Sequence, residues 1–192
     1  MSNKMAERRC FWATKTELEK GYHDIQWGVP VHDDKLWFEM ISLEGAQAGL
    51  SWSTVLAKRQ GYLNAFDQFD YHQISQYKDT KIEALLKDDQ IIRNKLKIKS
   101  VVSNAKAFIK VQEEFGSFNA YIWQFVGGKP IQNSWQTASE VPSSTEISEN
   151  LSKDLKKRGF KFVGPTICYA LMQSAGLVND HTIDCFRHQE LS

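Results

Sequence analysis

The stretch Leu155–Gln173, LKKRGFKFVGPTICYALMQ, constrains this chain more than any other. A basic helical run meets Gly159, and an apolar one restarts after Gly164 and Pro165. Glycine closes a helix C-terminus because it enters φ > 0 without strain, and proline has no N–H to lose in a first helical turn. The segment therefore reads as helix, tight hairpin, helix, with Phe160, Phe162 and Val163 as apolar anchors between them. Lys156, Lys157, Arg158 and Lys161 gather positive charge where the second helix aims its free N–H groups outward, a ready phosphate site. A plain αα-corner with a solvated basic face accounts for the same residues.

The 192 residues, 42% apolar and 12% aromatic, can bury one sizeable core, so one compact unit of at most two lobes is expected. No run approaches the length of a membrane span, and the opening residues MSNKMAERRC lack the apolar core of a secretory signal, so a cytoplasmic protein is expected. A formal net charge of +1 gives no global attraction to a polyanion, and any nucleic-acid surface must be a local patch. Three cysteines in a cytosolic chain argue against a disulfide framework and leave metal binding, catalysis or core packing as their uses.

From Arg9 to Pro30 the chain is aromatic and weakly periodic, as an N-terminal arm covering a core would be. Asp33 or Asp34 can cap a helix with a buried face of Leu36, Trp37, Met40, Ile41 and Leu43 or Glu44, and it leads into small residues (Gly45, Ala46, Ala48, Gly49) that let another surface approach. Glu44 is the one carboxylate among them, either a surface residue at a helix end or a buried acid that needs a partner. Ser51 can cap a helix from Trp52 to about Phe66, and helical segments follow at Tyr71–Tyr77, Lys81–Lys87 and Lys95–Phe115. The last has Ile98, Val101, Val102, Ala105, Phe108, Ile109 and Gln112 on one face. Six basic residues and no acidic one lie between Arg93 and Lys110, a wet helix face or a nucleic-acid surface. Ser117 can cap a further helix, residues 127–144 read as a polar surface connection, and Ser148 or Asn150 leads into the basic helix. No period-two run has strand length, so an all-α fold is expected.

Two sequence-distant pairs carry metal chemistry: Cys10 with His23, and His181 with Cys185. On a helix the H-x-x-x-C spacing puts both side chains one turn apart, and two such pairs can fill a tetrahedral zinc site. A filled site leaves no place for activated water, so the zinc would be structural, joining residues 9–30 to 177–188. Cys168, on the apolar helix, reads as a small core residue.

The segments YHDIQWGVP (22–30), FEMISLEGAQAGLSW (38–52) and LKKRGFKFVGPTICYALMQSAGLVNDH (155–181), in this order, resemble signatures of the DNA-3-methyladenine glycosylase I family of bacteria, in the helix-hairpin-helix glycosylase superfamily. The resemblance runs from about Cys10 to Cys185. It implies a compact helical glycosylase fold with its hairpin motif at about 151–176 and one structural zinc on Cys10, His23, His181 and Cys185. It implies a monomeric, monofunctional enzyme that hydrolyses the N-glycosidic bond of 3-methyladenine in double-stranded DNA and releases the free base. By the same resemblance Glu44 hydrogen-bonds the damaged base, Tyr22 adds a polar and stacking contact, Trp52 is the ring the base lies on, and Trp12 lies near the opening. Gly49 and Leu50 would form the wedge that fills the duplex gap, and Gly159, Lys161, Gly164 and Thr166 would grip the backbone.

The chemistry is coherent: methylation at N3 makes adenine cationic, and an indole with a carboxylate recognises that charge once the base has left the stack. Most of the superfamily carries a catalytic aspartate after the second hairpin helix; the resembled family manages without it, so Asp180 is given no catalytic role. Lys161 sits in the turn and not where it could attack the sugar, which favours hydrolysis without strand cleavage, and Glu19 stands where an aromatic residue is expected. Two other functions fit the residues: a non-catalytic sensor of alkylated bases and a zinc hydrolase of small molecules.

Overall fold

A computed structural model describes residues 8–192. The first seven, part of the opening that reads as lacking a secretory signal, lie outside the described residues. The aromatic opening is more regular than expected: Phe11–Thr14 forms a 3₁₀ turn and Glu17–Ile25 a helix, α1. The Thr16 hydroxyl caps α1 by accepting from the Glu19 N–H, and the helix buries Tyr22 and His23.

Asp33 caps α2 (Asp34–Gln47), which buries Trp37, Phe38, Ile41, Leu43 and Glu44 and is apolar on several sides, as a central helix must be. Ser51 caps α3 (Trp52–Ala57), but the single helix expected from Trp52 to about Phe66 is two, with α4 at Arg59–Ala65. Lys58 breaks it with ψ near 0°, its ammonium donating to the Asp89 carbonyl at 2.6 Å. Short helices α5 (Tyr71–Ser75) and α6 (Asp79–Leu85) lead to α7 (Lys95–Phe115), capped by Asn94 and ended by Gly116. Its apolar face packs on α5, α2 and α8 (Phe118–Trp123).

The connection 127–144 contains what periodicity could not show. Ile131–Gln132 (β1) pairs in parallel with Val178–Asn179 (β2), two residues a side, so the fold is mostly helical with one strand pair. Helix α9 (Glu146–Lys157) is capped by Thr145; Ser148 is the third residue inside it, returning its hydroxyl to the Thr145 N–H in a capping box. Gly159 then turns the chain at φ +98°, Phe160 and Val163 are buried, and Pro165 opens α10 (Pro165–Ser174), which packs on α9. A last helix, α11 (Phe186–Glu190), follows Cys185.

The turn between α9 and α10 is tied to its neighbours. Asn104 of α7 accepts from the Lys161 N–H at 2.8 Å and donates to the Lys161 carbonyl at 3.1 Å. A side chain on Gly45 would meet the Phe162 Cβ at 3.3 Å, so the glycine lets α2 approach this turn.

A large apolar cluster built from α2, α7, α8, α9 and α10 and a smaller one around Cys10, Tyr22, Trp27, Leu56 and Cys185 meet at Trp52, which packs on both. Gly176 lets segment 28–31 pack against the end of α10. It has φ +71°, and an added Cβ would lie 2.5 Å from the Pro30 nitrogen, while Gly28 and Val31 donate to the Ser174 and Ala175 carbonyls at the end of α10. Gly176→Ala is therefore expected to cost about 3 kcal/mol through overpacking and a disfavoured φ. For a chain of this size that lowers the melting temperature by roughly 6–12 °C. A variant that melts with the parent would show that segment 28–31 yields at no cost.

Candidate functional site

Tyr22 from α1, Glu44 from α2 and Trp52 from α3 converge where the two clusters meet. The Tyr22 and Trp52 rings lie 5.2 Å apart, centre to centre, and Trp12 is 6.4 Å from Tyr22. These four residues line a cavity of about 480 Å³, lined also by Ala138, Val141 and Pro142 of the 127–144 connection and by Gln173 and Asp180. A second, more apolar cavity of about 340 Å³, lined by Val29, Pro30, Leu36, Met40 and Leu43, shares Tyr22, Glu44 and Trp52 with the first. The three residues thus stand between two spaces.

Glu44 is only 3% exposed. The Tyr22 hydroxyl, the Glu44 Oε2 and the Trp52 Nε1 are all buried without a hydrogen-bond partner. Leaving a buried polar group unsatisfied costs about 1–3 kcal/mol, so three around one space mark a place built for a polar ligand. Burial pushes the Glu44 carboxyl up to about 7, with Ser174 pulling it partly back. Burial, and then the charge of Glu44, push the Tyr22 hydroxyl up from its ordinary value, so it stays a neutral donor.

Asp180 borders the same cavity in the opposite condition. One carboxylate oxygen accepts from Asn133 at 2.6 Å and Trp135 at 2.8 Å, the other from Tyr169 at 2.6 Å and Gln173 at 2.8 Å. With four donors on two oxygens, it fastens the 127–144 connection to α10.

Below the pocket, Cys10, His23, His181 and Cys185 bring four ligand atoms within 4.8 Å of one another, all buried. The Cys185 sulfur is 3.4 Å from both the His23 Nε2 and the His181 Nδ1, and the Cys10 sulfur is 3.5 Å from the latter. Outer partners fix the tautomers. His23 Nδ1 donates to Asp24 at 2.9 Å, and His181 Nε2 donates to the Trp27 carbonyl at 3.1 Å, so each ring turns a lone pair inward. Arg9 holds Asp24 by a two-pronged contact at 2.8 Å; burial pushes Asp24 up, but Arg9 and His23 outweigh it and leave its carboxyl below the ordinary value. Hydrogen bonding between the sulfurs draws Cys185 toward thiolate and pushes Cys10 toward thiol. Two imidazole lone pairs and two sulfurs facing one point form a donor set that can hold a metal ion. The sequence expectation needs one correction: His181 and Cys185 lie on a turn that ends at α11, not one turn apart on a helix.

This pocket beside a Cys/His cluster has relatives. The model of the family described as methyladenine glycosylase matches residues 12–188. The chain belongs to that family. It is 48% identical to DNA-3-methyladenine glycosylase 1 of Escherichia coli (strain K12) over 177 residues, covering 92% of this chain and 95% of the relative. A crystal structure of 3-methyladenine DNA glycosylase I superposes with a TM-score of 0.91 at 47% identity, over 93% of this chain and 98% of the other. The Staphylococcus aureus enzyme, whose structure concerns its recognition of 3-methyladenine, gives a TM-score of 0.91 at 35% identity, over 95% and 97% of the two chains.

In this methyladenine glycosylase family member the remaining sequence-predicted residues fall at two places. Gly49, at φ +75°, and the exposed Leu50 form the tip between α2 and α3. Gly159, Lys161, Gly164 and Thr166 line the turn between α9 and α10, where Lys161 and Thr166 are exposed. Glu19 is 6% exposed, accepts from the Thr16 hydroxyl at 3.0 Å and reaches the rim of the larger cavity, so a capping carboxylate occupies the place where an aromatic was expected. Cys168 is buried in the main cluster. Sequence reasoning missed Asp24 and Arg9, which brace the Cys/His group, and Lys97, whose ammonium donates to the Ala46 and Ala48 carbonyls at 2.7 and 2.6 Å. Asp24 follows His23 directly, and a carboxylate beside a candidate ligand was the one signal that could have pointed to it.

Proposed function

We propose that this chain hydrolyses the N-glycosidic bond of 3-methyladenine in double-stranded DNA. The observation that carries the reading is the convergence of three unpartnered buried polar atoms, on Tyr22, Glu44 and Trp52, around one cavity. An adenine methylated at N3 is flat, cationic and edged with hydrogen-bonding groups. Trp52 and Trp12 offer ring faces to its charge, the Glu44 carboxylate accepts from its edge and opposes the positive charge, and Tyr22 donates. The named relatives, DNA-3-methyladenine glycosylases at 48% and 47% identity, support the same substrate.

Catalysis on this reading needs little acid–base machinery. The base leaves as a stable neutral molecule once the bond breaks, so holding the cationic nucleotide out of the duplex with its sugar open to water performs most of the work. Asp180, already committed to four donors, acts in architecture. Leu50 and Gly49 fill the gap in the stack, and α9, its turn and α10 form the helix-hairpin-helix grip, with Gly159, Lys161, Gly164 and Thr166 at the phosphates. Cys10, His23, His181 and Cys185 would hold one zinc. Two imidazole nitrogens and two sulfurs within 4.8 Å of one another suit that ion, and four protein ligands would give it a structural part. Bound there, it would cross-link the segment at Cys10–His23 to the turn at His181–Cys185.

Methylated duplex DNA incubated with the protein is expected to release free 3-methyladenine and leave abasic sites without strand cleavage. Tight binding of that DNA with no base released would leave a sensor of alkylated bases in place of an enzyme.

A further inference from the structure

Helix α7 is bonded to both features that the proposed function turns toward DNA. Near its start, the buried Lys97 donates to the Ala46 and Ala48 carbonyls, the last residues before the Gly49–Leu50 tip. Two turns on, Asn104 clamps the Lys161 peptide with two hydrogen bonds. Seven residues at 1.5 Å each put these anchors about 10 Å apart along the helix. A strand rising about 3.4 Å per nucleotide covers that span in about three nucleotides.

The surface between the anchors is an open groove of about 440 Å³, lined by Leu96, Lys99, Ser100, Ser103, Lys161 and Phe162. Lys99 is exposed, and no carboxylate among the described residues pairs with it, whereas its neighbour Lys95 faces Glu83 at 3.5 Å and Lys97 is spent on carbonyls. Phe162 is held at φ +55°, an unfavourable conformation for an aromatic residue, and forms part of the groove wall. The groove thus carries two unpaired cations on a rigid floor and no acidic lining residue.

We infer that this groove is the track for the DNA backbone between the extruded nucleotide and the hairpin, with Lys99 binding a phosphate there alongside Lys161. The inference rests on the proposed reading of the tip and the hairpin as DNA contacts. It makes α7 a spacer whose length sets how many nucleotides separate the wedge from the grip.

The test measures duplex affinity of the full chain against salt for Lys99→Ala, Lys161→Ala and, as a control beyond the groove on the same helix, Lys110→Ala. Removing a lysine that neutralises one phosphate should flatten the slope of log affinity against log salt by about 0.9. Lys99→Ala is expected to show that change, with Lys99→Arg restoring it. Lys110→Ala should leave the slope unchanged. An unchanged slope for Lys99→Ala overturns the inference, and so does an equal change for Lys110→Ala, which would mark a diffuse charge effect. If Lys161→Ala is silent while Lys99→Ala flattens the slope, the hairpin reading fails and the track to the hairpin is overturned with it, leaving Lys99 as a separate phosphate contact.

Discussion

Glu44→Gln is expected to lower excision of 3-methyladenine by about 10²–10³-fold, the range seen when one electrostatic contact to a transition state is removed from a closed site. The same substitution should make the protein more stable. Burial holds the Glu44 carboxyl near 7 against an ordinary 4.5, so the fold binds its proton more tightly than the unfolded chain does. For such a group the stabilising contribution is complete below 4.5 and is lost as pH rises through about 7, after which it stays lost. A shift of that size corresponds to at most roughly 3 kcal/mol. Glutamine carries no charge to desolvate. Urea unfolding should therefore find the variant more stable than the parent at pH 8, with no such advantage at pH 4.

The pH profile of kcat/KM separates the same idea from general damage. A cationic base needs the carboxylate form, so the parent's profile should rise through about pH 7 as free Glu44 ionises, and the glutamine variant's should be flat in that range. A variant that keeps full activity, or one that loses stability at pH 8 as well as activity, would remove Glu44 from the role of a desolvated carboxylate kept for a cation. Stability given up at this position is the expected mark of a site shaped for its ligand.

How much of this is legible in the sequence depends on the range of the interaction that fixes each feature. Helix α7 is readable from end to end because its capping Asn94, its apolar period and its terminal Gly116 are all local. The hairpin between Gly159 and Pro165 is readable for the same reason. The sequence places the start of α9 late because Ser148 has a capping residue's chemistry but serves inside a box headed by Thr145, and a hydroxyl at either place gives the same signal. The pairing of Ile131–Gln132 with Val178–Asn179 joins segments far apart in the chain and is too short to show a period. Lys97 and Asn104 sit on the buried face of α7 as polar residues, and sequence alone reads them as interruptions of an apolar stripe. Their partners are carbonyls and amides contributed by other segments. The four Cys/His positions stand out correctly as a group while their local geometry does not, since a spacing of four serves a turn closing on an ion as well as it serves a helix.

Removing the metal should affect folding and leave the chemical step alone. Cys185→Ala deletes a ligand whose sulfur touches both imidazoles of the cluster, and the remaining donors cannot close a tetrahedron. Loss of a bound metal belongs among the largest single-residue effects, about 4–5 kcal/mol or more, so the melting temperature should fall by roughly 10–20 °C. Zinc content, measured by atomic spectroscopy on the purified chain, should fall in step. Asp24→Asn, which weakens the brace on His23, is expected to lower metal affinity by about 10–100-fold while keeping all four ligands. A chelator added to folded protein should leave turnover unchanged for as long as the metal stays bound, and the same chelator present during refolding should give an inactive product. A metal ion held there would have that effect because it would tie Cys10 and His23, on either side of α1's start, to the turn at His181–Cys185, and so fix the helix that carries Tyr22. Full zinc occupancy in Cys185→Ala would break the proposed site, and inactivation at the rate at which metal leaves a protein that stays folded would give the ion a part in the reaction.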